Sequence, residues 1–410
     1  MDQIIVIATL IAFIVFFIWD KVRYDLVALG GLFIISITGV IPIQTAFYGF
    51  SNPALVTVVA VMIISRGMQH CGLMNWITSR LNWYGESPVF LLFPFTILTA
   101  IASAFMNNVS IIMPLSMKMA RQRNHPASLI LMPLAFATLL GGTLTLVGAA
   151  PNIIVSSIRA ENLGTAFSIF DFFKVGLPLA ISGILYLSFV GWRFLPSNIT
   201  EESAEEPPQK EEEYFTNKIP AYLTILAISV TLVILKLLPT HIAFPLGALV
   251  MVLLGVIPHD DVYKGVDWSV IVMLGALIPF GRAMTNSGAA SYIGNILESL
   301  ALTSAPWILV GIMLLFTMLL TNLINNATTA IIMAPIAIGL AQSTGSNQDL
   351  YLMTVALGAC STFLTPIGHP ANMLIKVPGK YRFSDYWKLG LVIQLINLVA
   401  GTFLLIHYWG

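Results

Sequence analysis

The chain has 410 residues, of which 57% are hydrophobic and 9% charged, and its nineteen basic residues balance nineteen acidic ones. Soluble domains carry about 25% charged residues, so this composition places the chain in a membrane. A net charge of zero without a basic stripe excludes nucleic acid as a partner, and two isolated cysteines, Cys71 and Cys360, give neither a disulfide framework nor a metal spacing.

The first apolar run, Ile4 to Ile18, has no basic leader and no small-residue cleavage site, and it reads as a spanning helix. Runs at 26–41, 53–68 and 88–104 follow, and Leu73 to Tyr84, with Trp76 and Trp83, reads as an interfacial amphipathic helix. Within 88–120, Asn107 and Asn108 stand side by side in an apolar background. Asparagine carries two donors and an acceptor, and hydrocarbon offers them no partner, so the pair predicts the tip of a re-entrant hairpin. The next apolar segment, 127–158, is interrupted by Gly141, Gly142, Thr143, Gly148 and Pro151, and 172–194 closes the half. Pro196 to Asn217 is acidic, carries three prolines and reads as a solvated linker.

Beyond the linker the order recurs. Runs at 219–238, 242–257 and 267–281 precede a second hairpin, 306–341, with Asn325 and Asn326 at its tip. A second interrupted segment, 350–376, breaks between Gly358 and Pro370, and 386–408 ends the series. Asn108-Val109-Ser110 corresponds to Asn326-Ala327-Thr328, Gly148 to Asn152 corresponds to Gly368 to Asn372, and Asp171 to Gly176 corresponds to Asp385 to Gly390, at spacings of 218, 220 and 214 residues. Three motifs in one order at nearly constant offset mark an internal repeat.

If each hairpin enters and leaves on one side, each half has five crossings and the halves face opposite ways. With both termini outside, fifteen of the nineteen basic residues fall on the inner face, as the positive-inside tendency requires. The expected fold is an all-α polytopic membrane protein of two inverted repeats, with about ten spanning helices plus two re-entrant hairpins and paired unwound helices. Residues 1–195 form the first half (hairpin about 88–120, broken helix about 127–158), 196–217 a cytoplasmic linker, and 218–410 the second half (hairpin about 306–341, broken helix about 350–376).

Glycine and proline at membrane depth weaken a helix and free its carbonyls. Oxygens around Gly142, Thr143 and Gly148, and around Thr362 and Thr365, with Asn108 and Asn326, are the neutral ligand set of a hard monovalent cation. The half-helix amino ends beyond each break, at Pro151-Asn152 and at His369, Pro370 and Asn372, point partial positive charge at an anion. His369 either holds its loop by a hydrogen bond or contacts the anion. Glu86, Asp171, Asp267, Glu298, Asp349 and Asp385 all lie near segment ends, so a titrating midplane carboxylate is absent and sodium is expected over protons. No ATP-binding motif and no paired-acid, Ser-His or metal constellation is present, which points to a secondary transporter without cofactors and not to an enzyme.

These tips and breaks resemble the divalent anion/sodium symporters, the dicarboxylate and sulfate carriers of the ion-transporter superfamily. The resemblance runs from about residue 25 to the end, and Gly368 to Gly390 is similar to a bacterial sulfate-carrier-like branch. It implies that Asn108 and Asn326 serve sodium and substrate together, with Ser103 and Thr321 near the sodium sites. Val109 and Ala327 stand where the family has threonines that hold a carboxylate, while Ser110, Thr328 and Thr329 next door offer hydroxyls. The resemblance also implies a homodimer in the inner or plasma membrane working by an elevator motion. Sodium symport of sulfate or a C4-dicarboxylate is the expected function, with sulfate favoured. A sodium/proton antiporter is the alternative.

Overall fold

The computed structural model describes residues 1–19, 21–73, 76, 88–105, 117, 125–196, 216–300 and 305–410. The tip residues Asn107, Asn108, Val109 and Ser110, most of the interfacial stretch, and the acidic linker at 197–215 lie outside the described residues. Among the described residues the fold is all-helical, with sixteen α-helices. They are α1 Asp2–Trp19, α2 Tyr24–Ile37, α3 Pro53–Cys71, α4 Pro88–Ser103, α5 Ala127–Gly142, α6 Ala150–Leu163, α7 Phe173–Phe189 and α8 Ile219–Ile234. After these come α9 Thr240–Leu253, α10 Trp268–Asn286, α11 Ala289–Leu300, α12 Pro306–Thr321, α13 Asn326–Thr344, α14 Gln348–Ala359, α15 Pro370–Lys376 and α16 Phe383–Trp409.

Helix lengths recur across the two halves: α2 and α9 have 14 residues each, α3 and α10 have 19, and α4 and α12 have 16. Local chemistry sets the ends. Asn52 caps α3 by accepting from Ala54 N at 2.8 Å, with Pro53 at the first helical position where its missing N–H is not needed. Gly72 ends that helix at φ 64°, a left-handed conformation that a side chain disfavours. Asp267 caps α10 through Ser269 N at 3.0 Å. Five helical stretches among the described residues are long and apolar enough to cross a membrane, and shorter apolar helices accompany them.

The helices sort into two bundles. In one, α10 packs on α1, α2 and α3, and α9 packs on α3 and α8. In the other, α4 packs on α5 and α7, α14 packs on α6, α12, α13 and α16, and α7 packs on α16. They meet where α13 lies against α10 and α11, and where α6 lies against α3. The two halves of the chain also interlock inside the second bundle, α5 against α15 and α6 against α14. Phe136 of α5 sets its ring edge-on to Phe363, centroids 5.2 Å apart.

Polar groups collect at two opposite ends. At one, Arg159 forks onto Asp349 at 2.7 and 2.8 Å, Asn347 donates to Trp409 O at 2.9 Å, and Gln3 donates to Gly288 O at 3.5 Å. There too Glu161 of α6 accepts from Arg282 of α10 at 3.0 Å and from Asn52 at 2.7 Å, joining the two bundles. At the other end Arg23 donates to Ser269 at 2.9 Å, Lys218 to Leu254 O at 2.8 Å and Ser128 to Pro196 O at 2.6 Å.

Candidate functional site

The hairpin of α12 and α13 turns at Asn322 to Asn325, and its tip meets the break between α14 and α15. The two adjacent asparagines divide the work. Asn325 caps α13, its Oδ1 accepting from Thr328 N at 2.8 Å and its carbonyl from Thr329 Oγ1 at 3.1 Å. Asn326, the first helical residue, turns its buried Oδ1 toward Thr321 Oγ1 at 2.9 Å and Thr362 Oγ1 at 2.6 Å. Thr321 Oγ1 also lies 2.7 Å from Ala359 O and 3.3 Å from Thr362 Oγ1.

Each hydroxyl has one proton, so Thr321 donates either to Asn326 Oδ1 or to Ala359 O, and the other contact is left as oxygen against oxygen. Thr321 Oγ1, Asn326 Oδ1, Thr362 Oγ1 and Ala359 O thus form a group of four neutral oxygens, the donor type that hard cations take.

Around it the break is stitched to the hairpin. Asn322 Oδ1 accepts from Leu364 N at 2.9 Å, and its carbonyl accepts from Thr365 Oγ1 at 2.6 Å. Asn372 Nδ2 donates to Thr362 O at 2.8 Å and Thr365 O at 3.1 Å. His369 Nδ1 accepts from Ala371 N at 3.1 Å, so the imidazole caps α15 and holds the loop. Ala327 is buried in the first turn of α13, and Pro370 is exposed at the start of α15. Thr328 turns its hydroxyl away, to Met273 Sδ on α10 at 3.0 Å.

The first break repeats this pattern. Asn152 Nδ2 donates to Gly142 O at 3.0 Å and Thr145 O at 2.8 Å. Thr145 Oγ1 donates to Ala104 O at the end of α4 and accepts from Gly148 N at 3.2 Å. Ser103 Oγ donates to Thr138 O at 2.8 Å, and Thr143 Oγ1 turns back onto Leu140 O at 2.7 Å. Behind this break a cavity of about 10 Å³, lined by Thr143, Asn152, Gly176 and Met353, has room for a water and not for a divalent anion.

Of the expected residues, then, the structure brings Thr321, Asn326 and Thr362 into one cluster and places Ser103, Gly142, Thr143, Gly148 and Asn152 about the first break. The sequence reading missed Ala359 O, Asn322, Thr145 and Met273. Gly176 and Gly390, repeat markers in the sequence, each lie against a carbonyl of a break, Thr143 O and Phe363 O. Among the described residues no Lys or Arg bonds to the second tip or to either break.

Comparison with known proteins adds the family. The citrate transporter family (CitMHS) matches residues 14–358. The transporter sll0640 of Synechocystis sp. is 23% identical over a 593-residue alignment covering 98% of this chain and 97% of its own. Two proteins named sodium-dependent dicarboxylate transporter SdcS are similar as well. That of Staphylococcus saprophyticus is 22% identical, over 86% of this chain and 75% of its own, and that of Staphylococcus aureus 24%, over 88% and 76%. The YdaH transporter of Alcanivorax borkumensis shares the fold, with a TM-score of 0.65 and 14% identity over 96% of this chain and 97% of its own. The family match spans most of this helical membrane scaffold: the chain belongs to the citrate transporter family and is a multi-pass membrane transporter.

Proposed function

We propose that the chain is a sodium-coupled symporter of a small divalent anion. The observation that carries this reading is the buried cluster of Thr321 Oγ1, Asn326 Oδ1, Thr362 Oγ1 and Ala359 O, a neutral oxygen site suited to sodium. The names of the two Staphylococcus relatives support sodium as the coupling ion. Asn108 and its neighbours at the first tip are proposed to build a second sodium site with Ser103 and the first break. The anion then sits between the tips, held by amides, hydroxyls, helix amino ends and the sodium ions themselves.

The inverted orientation of the halves is supported by the two polar ends. Gln3 with Gly288, Glu161 with Arg282, and Asn347 with Trp409 each pair residues that five crossings per half with both termini outside place on the outer face. A bundle of α4–α7 and α12–α16, sliding as an elevator against α1–α3 and α8–α10, provides alternating access, and a homodimer in the inner or plasma membrane anchors it.

The anion favoured is sulfate. Ala327 has no hydroxyl, and Thr328 beside it spends its own on Met273, so the groups that would grip a carboxylate at this tip are missing. The family match and the names of the dicarboxylate carriers favour a carboxylate instead. Liposomes holding the purified protein decide among these. Labelled sulfate is expected to enter on a sodium gradient, with succinate and citrate competing weakly. Saturable sodium-driven succinate or citrate uptake indifferent to sulfate overturns the choice of anion, and proton efflux on a sodium pulse without anion uptake marks an antiporter.

A further inference from the structure

We infer that Asn152 and Asn372 do not bind the anion and are positioning residues that clamp the two breaks into cation-binding shape. The inference rests on the proposed sodium coupling and names which residues set the geometry of that site. Each side chain is buried, 1% and 0% exposed, and each spends its amide on carbonyls ten and seven residues earlier: Gly142 and Thr145 for Asn152, Thr362 and Thr365 for Asn372. An anion needs a donor, and a carboxamide has only two. Both are committed, and what remains is an oxygen that repels negative charge.

What the clamp does follows from helix chemistry. Where a helix is broken, the carbonyls of the break lack the N–H partners that a continuous helix would give them. The amide of Asn372 supplies two substitutes, and by holding the Thr362 carbonyl it holds the backbone from which the Thr362 hydroxyl reaches Asn326 Oδ1 at 2.6 Å. The clamp is braced in turn. Tyr386 of α16 donates its hydroxyl to Asn372 O at 2.6 Å, and Thr365 ties the middle of the arch to Asn322 O. Asn152 has a different brace, its Oδ1 facing Cys360 Sγ at 3.6 Å, so the first arch leans on the edge of the second.

The test separates clamp from ligand. Purified Asn372→Ala and Asn152→Ala are titrated with sodium chloride against choline chloride, following thermal stabilisation, and the KM for labelled sulfate is measured at saturating sodium. The expected result is a sodium midpoint raised about 10- to 100-fold, the cost typical of losing an outer-shell partner, with the KM at saturating sodium unchanged. A raised KM with an unmoved sodium midpoint makes them substrate ligands and overturns the inference. If Asn372→Ala does not fold, Tyr386→Phe removes only the brace and is expected to raise the midpoint by a smaller factor. An unmoved midpoint there overturns the inference too. If sodium fails to stabilise the unaltered protein, sodium coupling itself falls. Hydrogen exchange at 142–149 and 362–369 then decides the clamp, with faster exchange in the variants expected and unchanged exchange refuting it.

Discussion

The proposed sodium site turns on Asn326. Its Oδ1 meets two threonine hydroxyls, and sodium gives up its water only where several oxygens replace it. Asn326→Ala is therefore expected to raise the sodium concentration for half-maximal uptake at least tenfold, on the order of the loss that follows disturbance of a metal site, or to abolish uptake. An unchanged sodium dependence removes Asn326 from the site. Its neighbour Ala327 tests the anion. Ala327→Thr restores a hydroxyl at the tip where Thr328 has turned to Met273, and it is expected to make succinate a stronger competitor of sulfate in uptake. A succinate inhibition constant that does not move shows that this position does not select the substrate.

Among elements, the close approaches of α7 and α16 to the breaks are the most exacting. A Cβ on Gly390 would stand 2.0 Å from Phe363 O, and one on Gly176 would stand 2.4 Å from Thr143 O. Both neighbours are backbone and cannot swing aside, so Gly390→Ala and Gly176→Ala are each expected to destabilise the protein by about 1–3 kcal/mol through overpacking. Thermal unfolding of the purified variants reads this, and a melting temperature equal to that of the parent contradicts it. These glycines also show what was legible in the sequence. The second hairpin and both breaks could be placed because paired asparagines, glycines and prolines at membrane depth are costly and therefore conspicuous. The bonds among them could not, because Asn322 and Thr145 look like any polar residue near an apolar run. Periodicity likewise says nothing about a contact 55 residues apart such as Thr328 with Met273. Asn152 and Asn372 are found by motif, but a motif does not reveal where an amide's two protons go.

On the scale of the whole molecule, Glu161 ties α6 of one bundle to Arg282 and Asn52 of the other. Under the proposed sliding this bond has to open once in every cycle, which turns a static contact into a clock. A partly exposed pair of this kind contributes at most about 1 kcal/mol, and if its rupture lies on the slowest step that corresponds to about a fivefold change in rate. Glu161→Gln is expected to raise the maximal uptake rate by up to that factor while leaving the sodium and anion affinities where they are, because the pair touches neither site. High ionic strength on the face carrying Arg282 should quicken the unaltered protein in the same way and leave the variant nearly unaffected. Uptake traces at two salt concentrations check both, and a variant no faster than its parent places the slow step elsewhere. The turnover of this carrier would then be set some distance from its cargo, by a carboxylate that never meets sodium or anion and acts only by how long it holds on.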